Sequence, residues 1–197
     1  MENIFGKNLA ELTELVLGLG LPKFRGKQLA EWLYKRSVTD FQQMQNLPKD
    51  MRNKLADGYV IDRAARVDQL DSGDGKTSKF LLNFSDGSGV ETVLMRQPYG
   101  NSICVSSQVG CNMSCAFCES GRLKKVRNLQ TEEMVLQILN VEKDCKMRIT
   151  HVVIMGIGEP FDNYDNVIKF LKIINHPLGL EIGARHITVS TCGLVPK

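Results

Sequence analysis

The sequence predicts an α/β protein in which a small helical part precedes a β-hairpin and then a sheet with alternating strands and helices. Three observations support this prediction. Apolar residues recur at helical spacing within residues 1–57. From Tyr59 the pattern changes to period two. After residue 95, apolar strands alternate with amphipathic helices, which is typical of a parallel α/β sheet or barrel. We therefore divide the chain into domains 1–95 and 96–197.

Three helices are expected in the N-terminal domain, at residues 8–18, 24–34 and 48–55. Gly18 ends the first helix and Pro48 begins the third. The second helix lies in a segment with five basic residues and the single acid Glu31. This segment is either a solvated helix face or a surface that contacts RNA phosphates, and the residues alone leave both interpretations open. The five are Lys23, Arg25, Lys27, Lys35 and Arg36.

The hairpin is expected from strands at residues 78–84 and 90–95, which a turn at 86–89 connects. A further strand at 101–109 runs directly into a loop rich in cysteine. A lone glutamate on a hairpin usually faces solvent, but Glu91 shares its side with the apolar residues Val93 and Met95, so the pattern does not decide whether it is solvated.

The rest of the chain is predicted to alternate between helices at 131–146 and 165–174 and strands at 149–155 and 186–190. Thr131 is the expected N-cap of the first helix. A complete (β/α)8 barrel takes roughly 250 residues. Residues 96–197 supply fewer than half of that length, so we expect an incomplete barrel.

Composition favours a cytoplasmic protein without a membrane segment. No apolar run approaches the roughly 18 residues of a membrane span. The six cysteines are too few for a disulfide scaffold, and a reducing compartment suits them better. The net charge of +3 permits an RNA partner without requiring one.

The most informative motif is a set of three cysteines within eight residues, with the spacing Cys-x3-Cys-x2-Cys. Structural zinc and cubane iron–sulfur clusters normally take four protein ligands. Three local ligands therefore predict a [4Fe-4S] cluster with one iron open to a small molecule. A zinc knuckle completed by Cys104 or a histidine is the alternative. The predicted ligands are Cys111, Cys115 and Cys118.

Together with this spacing, residues 103–111 (ICVSSQVGC), 155–160 (MGIGEP) and 190–196 (STCGLVP) closely resemble the RlmN/Cfr family. The similarity extends from about Phe24 to the last residue. The family consists of radical S-adenosylmethionine (SAM) methyltransferases that act on an adenosine of 23S rRNA. The resemblance implies a partial (β/α) barrel, an accessory helical domain that binds RNA, a [4Fe-4S] cluster and SAM. It also implies that one electron from the cluster splits SAM and forms a 5′-deoxyadenosyl radical.

The resemblance also implies roles for residues outside the cysteine motif. Gly158 and Glu159 would bind the amino-acid part of SAM, and Ser190 would also contact SAM. Cys104 would resolve a covalent protein–RNA intermediate by forming a disulfide with a second cysteine, which carries the methyl group. Glu91 would be the proton acceptor. Without the resemblance, each residue has an ordinary structural interpretation. Gly158 and Glu159 would belong to a Gly-rich turn, and Ser190 would be a strand-end hydroxyl. Cys104 would be a small buried hydrophobe, and Glu91 would be a surface carboxylate.

The family pattern places the methyl-carrying cysteine nearer the C-terminus than any cysteine of this chain. Cys145 and Cys192 do not match its position, and we interpret both as structural. The sequence therefore resembles a truncated family member. The expected reaction is methylation of C2 of adenosine in 23S rRNA and some tRNAs, with a one-electron reductant protein as a further partner. The alternatives are a non-catalytic iron–sulfur or RNA-binding remnant and a zinc-bound structural module.

Overall fold

The computed structural model describes residues 1–194 of the chain. Its N-terminal part contains three helices, as the sequence predicts: α1 (Leu9–Gly18), α2 (Phe24–Ala30) and α3 (Lys49–Gly58). Helix α2 continues as a π-helical turn, Glu31–Lys35. Two short strands, β1 (Glu2–Asn3) and β2 (Tyr59–Val60), pair in parallel and so bring the two ends of this helical part together.

Helix α1 begins with a reciprocal cap. The Asn8 side chain accepts the Glu11 amide at 3.1 Å, and the Glu11 carboxylate accepts the Asn8 amide at 2.8 Å. Two of the amides that a helix start leaves unpaired are thereby satisfied. Helices α1 and α2 pack closely because Gly26 has no side chain, since a Cβ there would lie 2.9 Å from Thr13 Cα.

A six-stranded sheet forms the centre of the protein. Its strands are β3 (Ala65–Asp71), β4 (Thr77–Asn83), β5 (Gly89–Gln97), β6 (Gly100–Val105), β9 (His151–Ile154) and β10 (Ile187–Val189). They lie in the order β10-β9-β6-β5-β4-β3. Strands β3 to β6 pair antiparallel, whereas β6, β9 and β10 are parallel. The fold is therefore α/β, as predicted. Residue 95 lies within β5, so the sheet is continuous across the position of the expected domain boundary.

The expected strand at 101–109 is broken in the structure. Strand β6 ends at Val105, and a separate two-residue strand, β7 (Gln108–Val109), pairs antiparallel with β8 (Arg127–Asn128). The break has a hydrogen-bonding cause. The amides of Ser107 and Gln108 both donate to the carbonyl of Ile157, at 2.9 and 3.1 Å, and so leave the ladder of the main sheet.

Helices α4 (Thr131–Cys145) and α5 (Tyr164–Asn175) form the other layer. The sequence prediction of Thr131 as N-cap is wrong, because the cap is Gln130. The Glu133 carboxylate accepts the Gln130 amide at 2.7 Å, whereas the Thr131 hydroxyl bonds to Asn166 of α5 at 3.2 Å. Thr131 thus links the two helices.

The central sheet has one buried face and one open face. Alternate side chains of the strands are fully buried, among them Phe80, Leu94, Ile103 and Val152. The alternate positions of β4, β5 and β9 on the opposite face are partly or fully exposed, and Leu81 keeps 38% of its surface accessible. The open face is therefore available to a ligand or to further polypeptide. No helix in residues 1–194 combines the length and apolar character of a membrane span.

Candidate active site at the carboxyl ends of the parallel strands

The three parallel strands end at the same edge of the sheet, where α/β proteins usually bind ligands. Ser106 follows β6, the loop at 155–160 follows β9, and Ser190 follows β10. The Ser190 amide donates to the carbonyl of Ile154 at 3.1 Å, which holds it beside the end of β9. The structure therefore brings the sequence-predicted positions Gly158, Glu159 and Ser190 to one edge.

The loop after β9 approaches the segment after β6 so closely that only glycine fits. A Cβ at Gly156 would lie 2.7 Å from the Ser106 hydroxyl, and a Cβ at Gly158 would lie 2.6 Å from Gln108 Cβ. Gly158 also has φ +107, a left-handed conformation that favours glycine. The loop is thus fixed by its backbone, and its two glycines allow the close approach of Ser106 and Gln108.

Glu159 is buried, with 3% of its surface exposed, and its carboxylate accepts three hydrogen bonds. The donors are the Phe161 amide at 2.8 Å, the Thr191 hydroxyl at 2.6 Å and the Cys192 amide at 2.8 Å. Burial raises the pKa of this carboxyl, but the hydrogen bonds from Thr191, Cys192 and Phe161 outweigh it, so the pKa of Glu159 is lowered. The carboxylate therefore joins the loop after β9 to the loop after β10.

The cysteine loop leaves the pair of short strands β7 and β8. The two ends of the loop are joined by a hydrogen bond from the Cys111 amide to the Leu123 carbonyl at 2.9 Å. Gly110, at the start of the loop, has the left-handed φ of +73. A side chain at Gly110 would overlap the Lys124 carbonyl. At the other end, the Cys118 amide donates to the Cys115 carbonyl at 3.0 Å.

Cys111, Cys115 and Cys118 are free thiols with intermediate exposure, all on this one loop. In residues 1–194, no group of three or more His, Cys, Asp or Glu side chains already lies at metal-binding separations. Metal binding is coupled to folding at many small metal sites, so the final separations of the ligands are set when the metal binds. Three accessible thiols on one short loop fit an iron–sulfur cluster, for which cysteine thiolates are the usual ligands.

Cys104 and Glu91 lie on the open face of the sheet. Cys104 pairs across the ladder with Val93, which is two residues from Glu91 on the same strand. Such diagonal neighbours are about 7–8 Å apart in an antiparallel sheet. Burial raises the pKa of the Cys104 thiol, although the Met155 amide partly opposes this. The Glu91 carboxylate forms an ion pair with Lys79 at 2.8 Å.

Sequence reasoning missed a buried polar network behind the site. Gln137 of α4 is fully buried, accepts the Thr92 hydroxyl and the Ser106 amide at 2.8 Å each, and donates to the Ser106 carbonyl at 3.0 Å. A single glutamine between Leu136 and Ile138, inside an otherwise apolar run, was the available signal.

A second part of this network supports the cysteine loop. Gln108, also fully buried, accepts the Glu159 amide at 2.9 Å and donates to Asn128 and Asp162 at 2.8 Å each. Lys125 reaches the same Asp162 carboxylate at 2.7 Å. The exit of the cysteine loop is therefore tied to the loop after β9.

Four basic residues follow the cysteines, at positions 122, 124, 125 and 127, and three of them form ion pairs with carboxylates. Besides the bond from Lys125, Arg122 lies 3.4 Å from Glu119. Arg127 bonds to Asp86 at 2.6 Å and to Glu133 at 2.7 Å. These pairs favour a structural role for Lys125 and Arg127.

Comparisons with known proteins cover the whole chain. A family model described as the ribosomal RNA large subunit methyltransferase N-terminal domain matches residues 2–61, and the radical SAM superfamily model matches residues 105–197. The probable dual-specificity RNA methyltransferase RlmN of Spiroplasma citri is 50% identical over 200 residues, which are 100% of this chain and 58% of the relative. The corresponding protein of Geobacillus kaustophilus is 51% identical over 202 residues, which are 100% of this chain and 54% of the relative.

Among solved structures, a radical SAM methyltransferase from Sphaerobacter thermophilus superposes with a TM-score of 0.89 at 38% identity. The match covers 100% of this chain and 58% of that one. The chain thus spans a little more than half of the length of the relatives that it matches.

Proposed function

This chain belongs to the RlmN family of radical SAM methyltransferases, and we propose on that premise that the protein methylates C2 of an adenosine in 23S rRNA and in some tRNAs. The observation that carries the proposal is the meeting of three features at one edge of the sheet. These are the glycine-lined loop after β9, the end of β10 and the loop with three free thiols.

The proposed cluster ligands are Cys111, Cys115 and Cys118. A bound [4Fe-4S] cluster would supply the electron that cleaves SAM and generates a 5′-deoxyadenosyl radical. The residues of the chain hold and orient the reactants. The loop that carries Gly158 offers backbone groups to the amino-acid part of SAM, and Ser190 offers a hydroxyl from the neighbouring strand end.

Glu159 is proposed to bind the SAM amino group while it holds the two loops together. An ionised carboxylate has about four acceptor positions. Three of them are occupied by the Phe161 amide, the Thr191 hydroxyl and the Cys192 amide, and the Cys192 thiol is the further neighbour that a bound amine would displace. The lowered pKa of Glu159 keeps this carboxylate ionised near neutral pH, which favours a cationic amine.

Glu91 and Cys104 are proposed as the residues that act on the RNA. Both face the open side of the sheet, and the carboxylate of Glu91 is accessible enough to accept a proton from a substrate carbon. Cys104 is proposed to resolve the covalent protein–RNA intermediate by forming a disulfide; because burial raises the pKa of its thiol, a base would have to take the proton before that step.

The proposed partners are the RNA and a one-electron reductant protein. Two of the five basic residues in the segment 23–36 contact other side chains of the protein. Lys35 forms an ion pair with Glu181 at 2.6 Å, and Arg36 stacks on Trp32. Lys23 and Lys27 make no ion pair within residues 1–194 and are the proposed phosphate contacts.

The test is anaerobic reconstitution with iron and sulfide, followed by assays for 5′-deoxyadenosine and for methylated adenosine in rRNA. The wild type is compared with Cys115→Ala and with Cys145→Ala, which removes a thiol at the end of α4. We expect Cys115→Ala to lose the cluster and both products, and Cys145→Ala to keep them.

Each other outcome identifies an alternative. Zinc in place of iron in the wild type would support a structural module. A cluster without RNA methylation in the full-length protein would support a non-catalytic remnant. An intact cluster in Cys115→Ala would refute the ligand assignment.

A further inference from the structure

The open face of the sheet carries one row of side chains that runs from β4 to β10. Strand register places Lys79 opposite Val93, Val93 opposite Cys104, and Cys104 opposite Val153. Because neighbours across a ladder point to the same side of a sheet, Lys79 and Cys104 flank Val93 on the face that we assign to the RNA.

Lys79 bonds to Glu91, its diagonal neighbour on the same face of the hairpin, since Lys79 is opposite Val93 and Leu81 is opposite Glu91. The Lys79 ammonium lies 2.8 Å from the Glu91 carboxylate, and both side chains are about half exposed, at 43% and 48%. The hydrogen bond and the charge of Glu91 raise the pKa of Lys79, so the amine stays cationic at neutral pH. The ion pair is therefore formed under the conditions in which the protein works.

Exposed ion pairs usually contribute little to stability. The location of this pair, on the face shared with Cys104, suggests a function that does not depend on stability. A glutamate side chain has several rotamers, and a proton acceptor must lie within hydrogen-bond reach of the proton that it removes. A charge-assisted bond to one neighbour restricts these rotamers.

We propose that Lys79 is a positioning residue that orients the Glu91 carboxylate for proton removal from the RNA substrate. The inference rests on the proposed methyl transfer and on the assignment of Glu91 within it. The inference adds Lys79 of β4 to the proposed active site, whose cysteine motif and SAM-binding loops follow β6, β9 and β10.

The experiment uses the full-length protein, reconstituted with iron and sulfide and supplied with SAM, a reductant and 23S rRNA fragments. Lys79→Met removes the charge and keeps the length of the side chain, and Lys79→Arg keeps the charge. Lys76→Met is the matched control, because Lys76 lies just before β4, 3.8 Å from Asp74, and is 72% exposed. Methyl transfer at saturating RNA, SAM cleavage, RNA affinity and the thermal midpoint are measured for each variant.

We expect Lys79→Met to slow methyl transfer by about tenfold or more, as misplacement of a reacting group does. SAM cleavage should continue, so the yield of 5′-deoxyadenosine per methylated adenosine should rise. Lys79→Arg should recover most of the methyl transfer, and Lys76→Met should match the wild type.

Three outcomes overturn the inference. A Lys79→Met variant that methylates RNA as fast as the wild type would exclude a positioning role for Lys79. A loss confined to RNA affinity makes Lys79 a phosphate contact, and an equal loss of SAM cleavage and methyl transfer makes its role structural. A wild-type protein that methylates no RNA contradicts the proposed function itself, and Glu91→Gln that keeps full activity contradicts the role of Glu91.

Discussion

The hydroxyl of Ser106 connects the strand of Glu91 to the loop after β9, and its removal should destabilise the protein. It donates to the Glu91 carbonyl at 2.7 Å and accepts the Ile157 amide at 3.0 Å. Ser107 provides a matched control. The two serines are adjacent and buried, at 0% and 2% exposure, but within residues 1–194 the Ser107 hydroxyl makes no hydrogen bond.

Ser106→Ala leaves one carbonyl and one amide without a partner, and each buried group left unpaired costs about 1–3 kcal/mol. Because Glu91 and Ile157 lie in segments that water partly reaches, we expect the lower end, about 2 kcal/mol for the two groups together. For a chain of this size, that loss lowers the thermal midpoint by about 4–8 °C. Ser107→Ala should change the free energy of unfolding by less than about 0.5 kcal/mol.

The measurement is urea unfolding of the two variants and the wild type, followed by circular dichroism, with free energies from linear extrapolation. A free energy of unfolding for Ser106→Ala within about 0.5 kcal/mol of the Ser107→Ala value would refute the reasoning. In that case the loop after β9 would be held by its backbone bonds to Ser107 and Gln108 alone.

Two further predictions concern carboxylates. Glu159→Gln replaces an oxygen that accepts by an amide that donates, so we expect a loss of about 1–2 kcal/mol at neutral pH and weaker SAM binding by calorimetry; equal affinity in the variant would remove Glu159 from the SAM site. Asp86 has its pKa lowered to about 2 by the hydrogen bond from Arg127, so its stabilisation is present above its ordinary value of 3.8 and is lost as pH falls toward 2. Asp86→Asn should therefore lower the free energy of unfolding at pH 6, measured by urea unfolding, by less than about 1 kcal/mol because the pair is partly exposed. The difference from wild type should disappear as pH falls through about 2. A difference that stays constant from pH 6 to pH 2 would contradict this cause.

Much of the fold could be predicted from the sequence because its helices and inner strands carry strong apolar periodicity. The helices expected at 131–146 and 165–174 are Thr131–Cys145 and Tyr164–Asn175 in the structure. Strand β3 was harder to find. Its side chains are almost all exposed, as suits the edge strand of the sheet, so no apolar alternation marks it.

The candidate site was predictable only where its residues are close in sequence. The spacing of Cys111, Cys115 and Cys118 is a local signal, and a glycine-rich loop after an apolar strand is another. The ion pair of Lys79 with Glu91 depends on strand register, and the hydrogen bond of Ser106 with Ile157 joins residues 51 positions apart. No local sequence pattern encodes either contact. Glu159 shows the same limit, since its bonds to Thr191 and Cys192 cross 32 and 33 residues.

The polar network behind the site explains why this edge of the sheet is not packed by apolar side chains alone. Apolar packing is non-directional, and several arrangements of a loop can bury a similar area. Hydrogen bonds fix distance and direction, and a buried donor or acceptor left unpaired is costly, so only one arrangement satisfies Gln108 and Gln137 together. Through these two side chains, α4, the cysteine loop and the loop after β9 share one set of bonds. The radical chemistry that we propose would require the reacting atoms to be held in one geometry, and this network would supply that restraint where loops would otherwise move.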